Sequence, residues 1–145
     1  MRTLKWIIPG LALMLAGAQF VQPERTNPPS DPAASLVAVV KPPAQAAAVL
    51  ERSCRDCHSN RTEWPWYSRV APVSWMVAAD VKEGRARLNF SQWNIYSPEM
   101  SQIRLREVCA KTRAGDMPPK YYTPMHPGSR LSAADVAALC GLGGI

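Results

Sequence analysis

Residues 54–58 read Cys-Arg-Asp-Cys-His. Two thiols three residues apart share one face of a helical turn, and an imidazole follows at once. That grouping suits a single porphyrin: each thiol adds to a vinyl group on one edge, and the imidazole reaches the iron from the same side. The C-x-x-C-H run is therefore read as the attachment site of one covalent c-type haem per chain, with Cys54 and Cys57 as thioether donors and His58 as the proximal ligand. A zinc site would want a second Cys/His pair at ligand spacing, and neither Cys109 nor Cys140 has a histidine beside it. A thioredoxin-like pair follows a strand and opens a helix, whereas the chain before Cys54 reads as helix from Ala44.

The second axial position has several candidates. Met76 and Met100 lie in stretches of helical pattern, where a methionine usually fills core space. Met117 comes just after a helix stop at Gly115 and is followed by Pro118 and Pro119. A residue before proline is held extended, so the thioether is fixed at little entropic cost. Met125 and His126 lie in the same proline-bounded loop and stay open as alternatives. Met117 is the first choice, giving a His58/Met117 iron. Trp64, Trp66, Tyr67, Trp75, Phe90 and Trp93 are candidate pocket walls, although any one of them alone reads equally well as an ordinary core aromatic. Arg61, Trp66, Tyr67 and Tyr122 are candidate propionate partners. Cys109 and Cys140 either pair or remain two buried thiols; an oxidising compartment permits the bridge.

The elements that must position these groups follow from patterning. Residues 1–18 form a targeting segment: Arg2 and Lys5, an apolar run with a Pro9-Gly10 break, then Ala16-Gly17-Ala18, a small-x-small cleavage pattern. Cleavage after Ala18 is the first reading and an uncleaved membrane anchor the second, since the apolar run is shorter than the roughly 20 residues that span a bilayer. Either way the body is exported, to a bacterial periplasm, free or tethered to the inner membrane. Residues 19–43 read as a proline-rich linker, extended and partly mobile, with Leu36–Val40 resting on the domain.

The domain is expected over residues 44–145. Its first helix runs from Ala44 to Asp56 and delivers the cysteines. A second follows Pro72 with Val73, Val77 and Val81 on one face. A third begins at Ser97-Pro98 with Leu105, Val108, Cys109 and Thr112 inward, and a last one starts at a capping box from Ser132 to Asp135. No strand of ordinary length is visible. The fold class is all-α, about four helices around one haem, which supplies core that so short a chain lacks. Formal charge is +6, two of it in the leader, and the remaining Lys and Arg residues are scattered. Nucleic-acid binding has little support from such a distribution.

In combination, CRDCHS, WPWYS (64–68), APVSW (71–75), LNFSQW (88–93), GDMPPKYY (115–122) and HPGSRLS (126–132) resemble a family of small exported bacterial haem-binding-domain proteins, akin to class I cytochromes c in motif and helix order. The likeness covers about Leu50 to Leu139. It implies one covalently held haem, the family's proximal histidine at His58 and its MPP methionine at Met117. A His/Met iron has no open position and a raised potential, so the expected function is one-electron transfer with redox partner proteins by a monomeric carrier that is not an enzyme. The alternative is a haem-based sensor or ligand-binding module with a labile distal ligand. A peroxidase-like reading has only His126 as a distal acid/base candidate.

Overall fold

Helix follows helix along this chain because each apolar stretch repeats at three or four residues and is punctuated by proline or a capping side chain. The structure, a computed structural model, describes residues 4–144; Arg2 of the leader and Ile145 of the expected domain lie outside the described residues. Seven α-helices are present among them: α1 Leu4–Ala18, α2 Leu36–Val40, α3 Ala44–Ser53, α4 Arg55–His58, α5 Val73–Arg87, α6 Pro98–Arg113 and α7 Ala133–Leu142. Short 3-10 turns at Trp66–Arg69 and Phe90–Ile95 fill the connections, and no strand occurs among the described residues. The fold is all-α, as expected. It has more helices than four because the leader is itself helical as α1, the expected first domain helix is broken at Cys54, and Leu36–Val40 forms a helix of its own.

The core gathers Leu36, Val49, Leu50, Phe90, Trp93, Leu105, Val108 and Leu139. Trp93 is fully buried, its indole N–H donating to Ser101 Oγ at 2.8 Å, which satisfies the one polar atom its burial would otherwise strand. Helix α6 starts at Ser97, whose hydroxyl accepts from Met100 N–H, with Pro98 in the first turn. It presents Leu105, Val108, Cys109 and Thr112 inward as its pattern predicts. Its end is a Schellman arrangement: Gly115 takes φ +73°, Gly115 N–H donates to Thr112 C=O and Asp116 N–H to Lys111 C=O. The expected capping box at Ser132 and Asp135 opens α7. In α5 the inward stripe differs from expectation. Val73 is exposed and Val77 half-buried, while Ser74, Val81 and Gly84 are buried. Valine spacing could not reveal that a glycine faces the neighbouring backbone of Cys57 or that Ser74 is buried.

Helices α6 and α7 lie together and are joined by a Cys109–Cys140 disulfide, so of the two readings open to these cysteines the structure takes the bridge. Closing a loop of 31 residues restricts the unfolded chain by about 3–4 kcal/mol. A Cys109→Ala/Cys140→Ala variant is expected to unfold with that deficit in denaturant titration. Mass spectrometry after alkylation of the denatured, unreduced protein should find neither thiol modified; two alkylated cysteines would contradict the bridge.

Residues 22–31 are extended, as proline content demands, before a short turn and α2, but they are laid along the domain. Asn27 Nδ2 donates to Thr62 C=O, Asn60 Nδ2 to Pro29 C=O, and Arg25 Nη1 to Ser68 C=O. Arg85 Nη1 donates to Thr26 C=O and Nη2 to Asn27 Oδ1. At the end of the strap Leu36 enters the core, 1% exposed. The stretch expected to be partly mobile is held by side-chain contacts to distant backbone, which composition does not display. The Pro9-Gly10 pair likewise lies inside α1 rather than breaking it, since proline there removes a single intrahelical hydrogen bond.

Candidate functional site

The helix carrying the first cysteine stops at Ser53. Cys54 turns out of helical geometry (φ −128°, ψ −30°) and α4 restarts at Arg55, so Cys57 and His58 ride on a separate short turn. Two contacts hold that turn. Asp56, the second x of C-x-x-C, accepts from Glu63 N–H at 3.1 Å and from Tyr122 O–H at 3.1 Å. On the other side α5 crosses it at Gly84, where an added Cβ would lie 2.5 Å from the Cys57 carbonyl oxygen and 3.0 Å from its carbon. The glycine is what permits two backbones to approach this closely.

The same crossing orients the imidazole. His58 Nδ1 lies 3.1 Å from Gly84 C=O and 3.0 Å from Leu88 C=O. Both partners are acceptors, so Nδ1 carries the proton and donates to them, and Nε2 keeps its lone pair. Burial lowers the His58 pKa, opposed by these two hydrogen bonds, which favours the neutral imidazole a metal ligand requires. Phe90 stacks on it with centroids 5.7 Å apart and planes at 29°. Burial pushes the Cys54 and Cys57 thiols up to about 12. Redox-active C-x-x-C cysteines have their pKa lowered, so this pair has the opposite character.

Cys54, Cys57 and His58 open onto a cleft of about 650 Å³ that Met117 also lines, a size within the roughly 300–1,000 Å³ of ligand pockets. Met117 arrives there because the Schellman turn ends α6 beside it, its own N–H lying 3.3 Å from Lys111 C=O. The loop beyond is pinned at two phenols: Tyr121 O–H donates to Asp80 Oδ2 at 3.1 Å, and Tyr122 O–H to Asp56. Burial raises the Asp80 pKa, with the Tyr121 hydrogen bond pulling the other way. Burial, then the Asp56 charge, raises that of Tyr122.

The other candidates lie elsewhere. His126 stacks on Tyr122 at 3.9 Å; its Nδ1–H donates to Tyr122 C=O and its Nε2 accepts from Tyr67 O–H, each at 3.2 Å. Both ring nitrogens are occupied. Met125 is 54% exposed, and neither residue lines the cleft. Met76 and Met100 are partly exposed and also stand away from it. Among the candidate wall aromatics only Phe90 lines the cleft. Trp93 is core, Trp66 and Trp75 are exposed, and Trp64 and Tyr67 stand apart. Among the candidate propionate partners Tyr122 lines it, whereas Arg61 pairs with Glu51 and faces a different hollow between α2 and α3. Sequence reasoning passed over Gly84, whose signal was a lone glycine inside a helical pattern. It also passed over the cations Arg87, Arg104 and Lys111 around the cleft. The Arg104 Nε is buried with no protein partner.

These residues fit a haem. Two unpaired thiols, an imidazole with a free Nε2, and a thioether share one cleft with Leu88, Phe90 and Val108, and the cations at its rim, Arg87, Arg104 and Lys111, are paired with Glu83, Glu107 and Asp116. Searches among curated proteins and among solved structures returned no match. The profile of the haem-binding domain family matches residues 13–141, extending upstream of the Leu50–Leu139 stretch that carries the motifs to take in the strap and the end of α1. The chain belongs to the haem-binding domain family, and haem is its cofactor.

Proposed function

We propose that this protein is an exported c-type cytochrome that holds one haem through thioethers to Cys54 and Cys57, with His58 and Met117 as axial ligands, and passes single electrons between partner proteins. The observation that carries the reading is the His58 clamp. Gly84 and Leu88 carbonyls take the Nδ1 proton, which leaves Nε2 as a fixed, neutral donor in the cleft that Met117 shares. Second-site hydrogen bonds of this kind set the tautomer of metal-binding histidines. The bound haem supplies the one-electron couple of its iron.

The protein's own residues do the rest. Phe90 limits rotation of the imidazole, Leu88 and Val108 give the cleft apolar surface, and the Tyr121 and Tyr122 hydrogen bonds pin the methionine loop. With His58 and Met117 on its two axial positions the iron would have no open position at which peroxide could bind, which favours a carrier over an enzyme.

The test is spectroscopic. Pyridine haemochrome of the holo-protein should show the α-band of a haem with two thioethers, moving to the single-thioether position in Cys54→Ala and in Cys57→Ala. The reduced protein should change little under carbon monoxide. Rapid, complete CO binding would replace the carrier with the sensor reading, and a colourless protein from cells with working c-type maturation would end both.

A further inference from the structure

Residues 6–23 carry no charged side chain, and neither do residues 70–79. The fold brings them together. Gln19 grips the backbone of Ala71 twice, its Nε2 donating to the carbonyl at 3.1 Å and its Oε1 accepting from the N–H at 3.0 Å. The Trp75 indole N–H donates to Val21 C=O at 2.6 Å. Around this junction Phe20, Val21, Val70, Val73, Trp75 and Met76 are all exposed, Phe20 by 91%. They form an apolar collar at the foot of α1. Patches of this kind, left open to water, mark a contact with a partner or a membrane.

The helix decides between those two. From Trp6 to Leu15 its large side chains are exposed on every side. A protein groove covers one stripe of a helix; hydrocarbon covers all of it. No helix among the described residues is long and apolar enough to cross a membrane. The 15 residues of α1 rise about 22 Å, against a hydrocarbon core of about 30 Å. A helix too short for its bilayer draws its flanks toward the lipid, and here the flank is the collar, with Trp75 in the amphipathic setting that tryptophan favours at interfaces.

We propose that the chain keeps α1 and that α1 and the collar together bind a lipid surface, seating the domain directly on the bilayer with the N-terminal end of α5 down. The other end of α5 carries Gly84 and the cleft. Nine residues separate Trp75 from Gly84, so the haem site stands about 14 Å along that helix from the lipid contact. The inference shares with the proposed function only the export of the chain, and lipid binding is read independently of haem content, so either can fail alone.

The experiment is co-sedimentation of the full-length holo-protein with vesicles of phosphatidylethanolamine and phosphatidylglycerol. Val73→Glu/Met76→Glu places two charges on exposed collar positions and is expected to lower the partition constant about tenfold or more. Ile95→Glu, at an exposed site on a different turn, should leave it unchanged. Equal partition of wild type and the collar variant would show that α1 anchors alone and would overturn the proposal. So would an equal loss in Ile95→Glu, or a mature chain beginning at Gln19 and recovered free of membranes. A collar-dependent dimer, with vesicle binding untouched by the collar charges, would assign the face to a second copy instead.

Discussion

Gly84→Ala is expected to abolish most covalent haem incorporation and to cost the fold about 2–6 kcal/mol. Alanine is the better helix former by about 1 kcal/mol, so propensity alone would predict a gain. Sterics win because the new methyl would meet the Cys57 carbonyl at 2.5 Å, and backbone on both sides leaves nothing flexible to yield. If α5 backs away, the Gly84 and Leu88 carbonyls leave His58 Nδ1, which strands a buried donor and frees the ring to turn. Haem yield by pyridine haemochrome and denaturant unfolding of the same preparation measure both effects. Gly128→Ala is the control, since nothing lies within 4 Å of a methyl there, and it should be nearly neutral. A Gly84→Ala protein with wild-type haem content and stability would mean that the crossing does not hold the histidine.

Met117→Ala is expected to do the reverse: leave the fold and remove the ligand. The side chain is 38% exposed, so truncation should change stability by about 1 kcal/mol or less. The oxidised wild type should show the weak far-red charge-transfer band of a His/Met haem, and the variant should lack it entirely, with a lower midpoint potential and ready CO binding when reduced. Met125→Ala and His126→Ala should keep the band, because neither side chain lines the cleft and both His126 nitrogens are engaged. A band that survives in Met117→Ala and disappears in Met125→Ala would move the ligand to Met125. A wild type without the band would point to His126 and a rearranged loop.

What could be read from residues alone was what depends on near neighbours in sequence. The inward face of α6, its stop at Gly115 and the Ser132–Asp135 capping box each rest on residues within two turns of one another, and each appears where the pattern places it. The spacing of C-x-x-C-H and the family motifs likewise carried the haem. What escaped depends on approach between distant segments. Valines 73, 77 and 81 suggested one face of α5, yet the face that matters contains Gly84, because a small residue is needed where α5 meets α4. Aromatic richness suggested a ring of pocket walls, but Trp93 was claimed by the core and Trp66 by the surface, and composition has no way to rank those fates. His126 looked available as a ligand until Tyr67 and Tyr122, 59 and 4 residues away, occupied its two nitrogens.

The strap bears on how this protein can be dissected. A boundary drawn at Ala44, where proline content falls, looks like the natural place to cut, and the piece so obtained would keep Cys54, Cys57, His58 and Met117, the residues proposed to hold the haem. It would also lack Leu36, leaving a leucine-sized hole in the core, and would strip Thr26, Asn27 and Pro29 from Arg85, Thr62 and Asn60. Those are the residues that brace the loop immediately after His58, Arg85 reaching Ser59 C=O at 2.8 Å and Thr62 Oγ1 at 2.7 Å. The smallest autonomous unit therefore begins upstream of Arg25, and a fragment that starts at 44 and fails to hold haem would report a lost brace rather than a missing ligand.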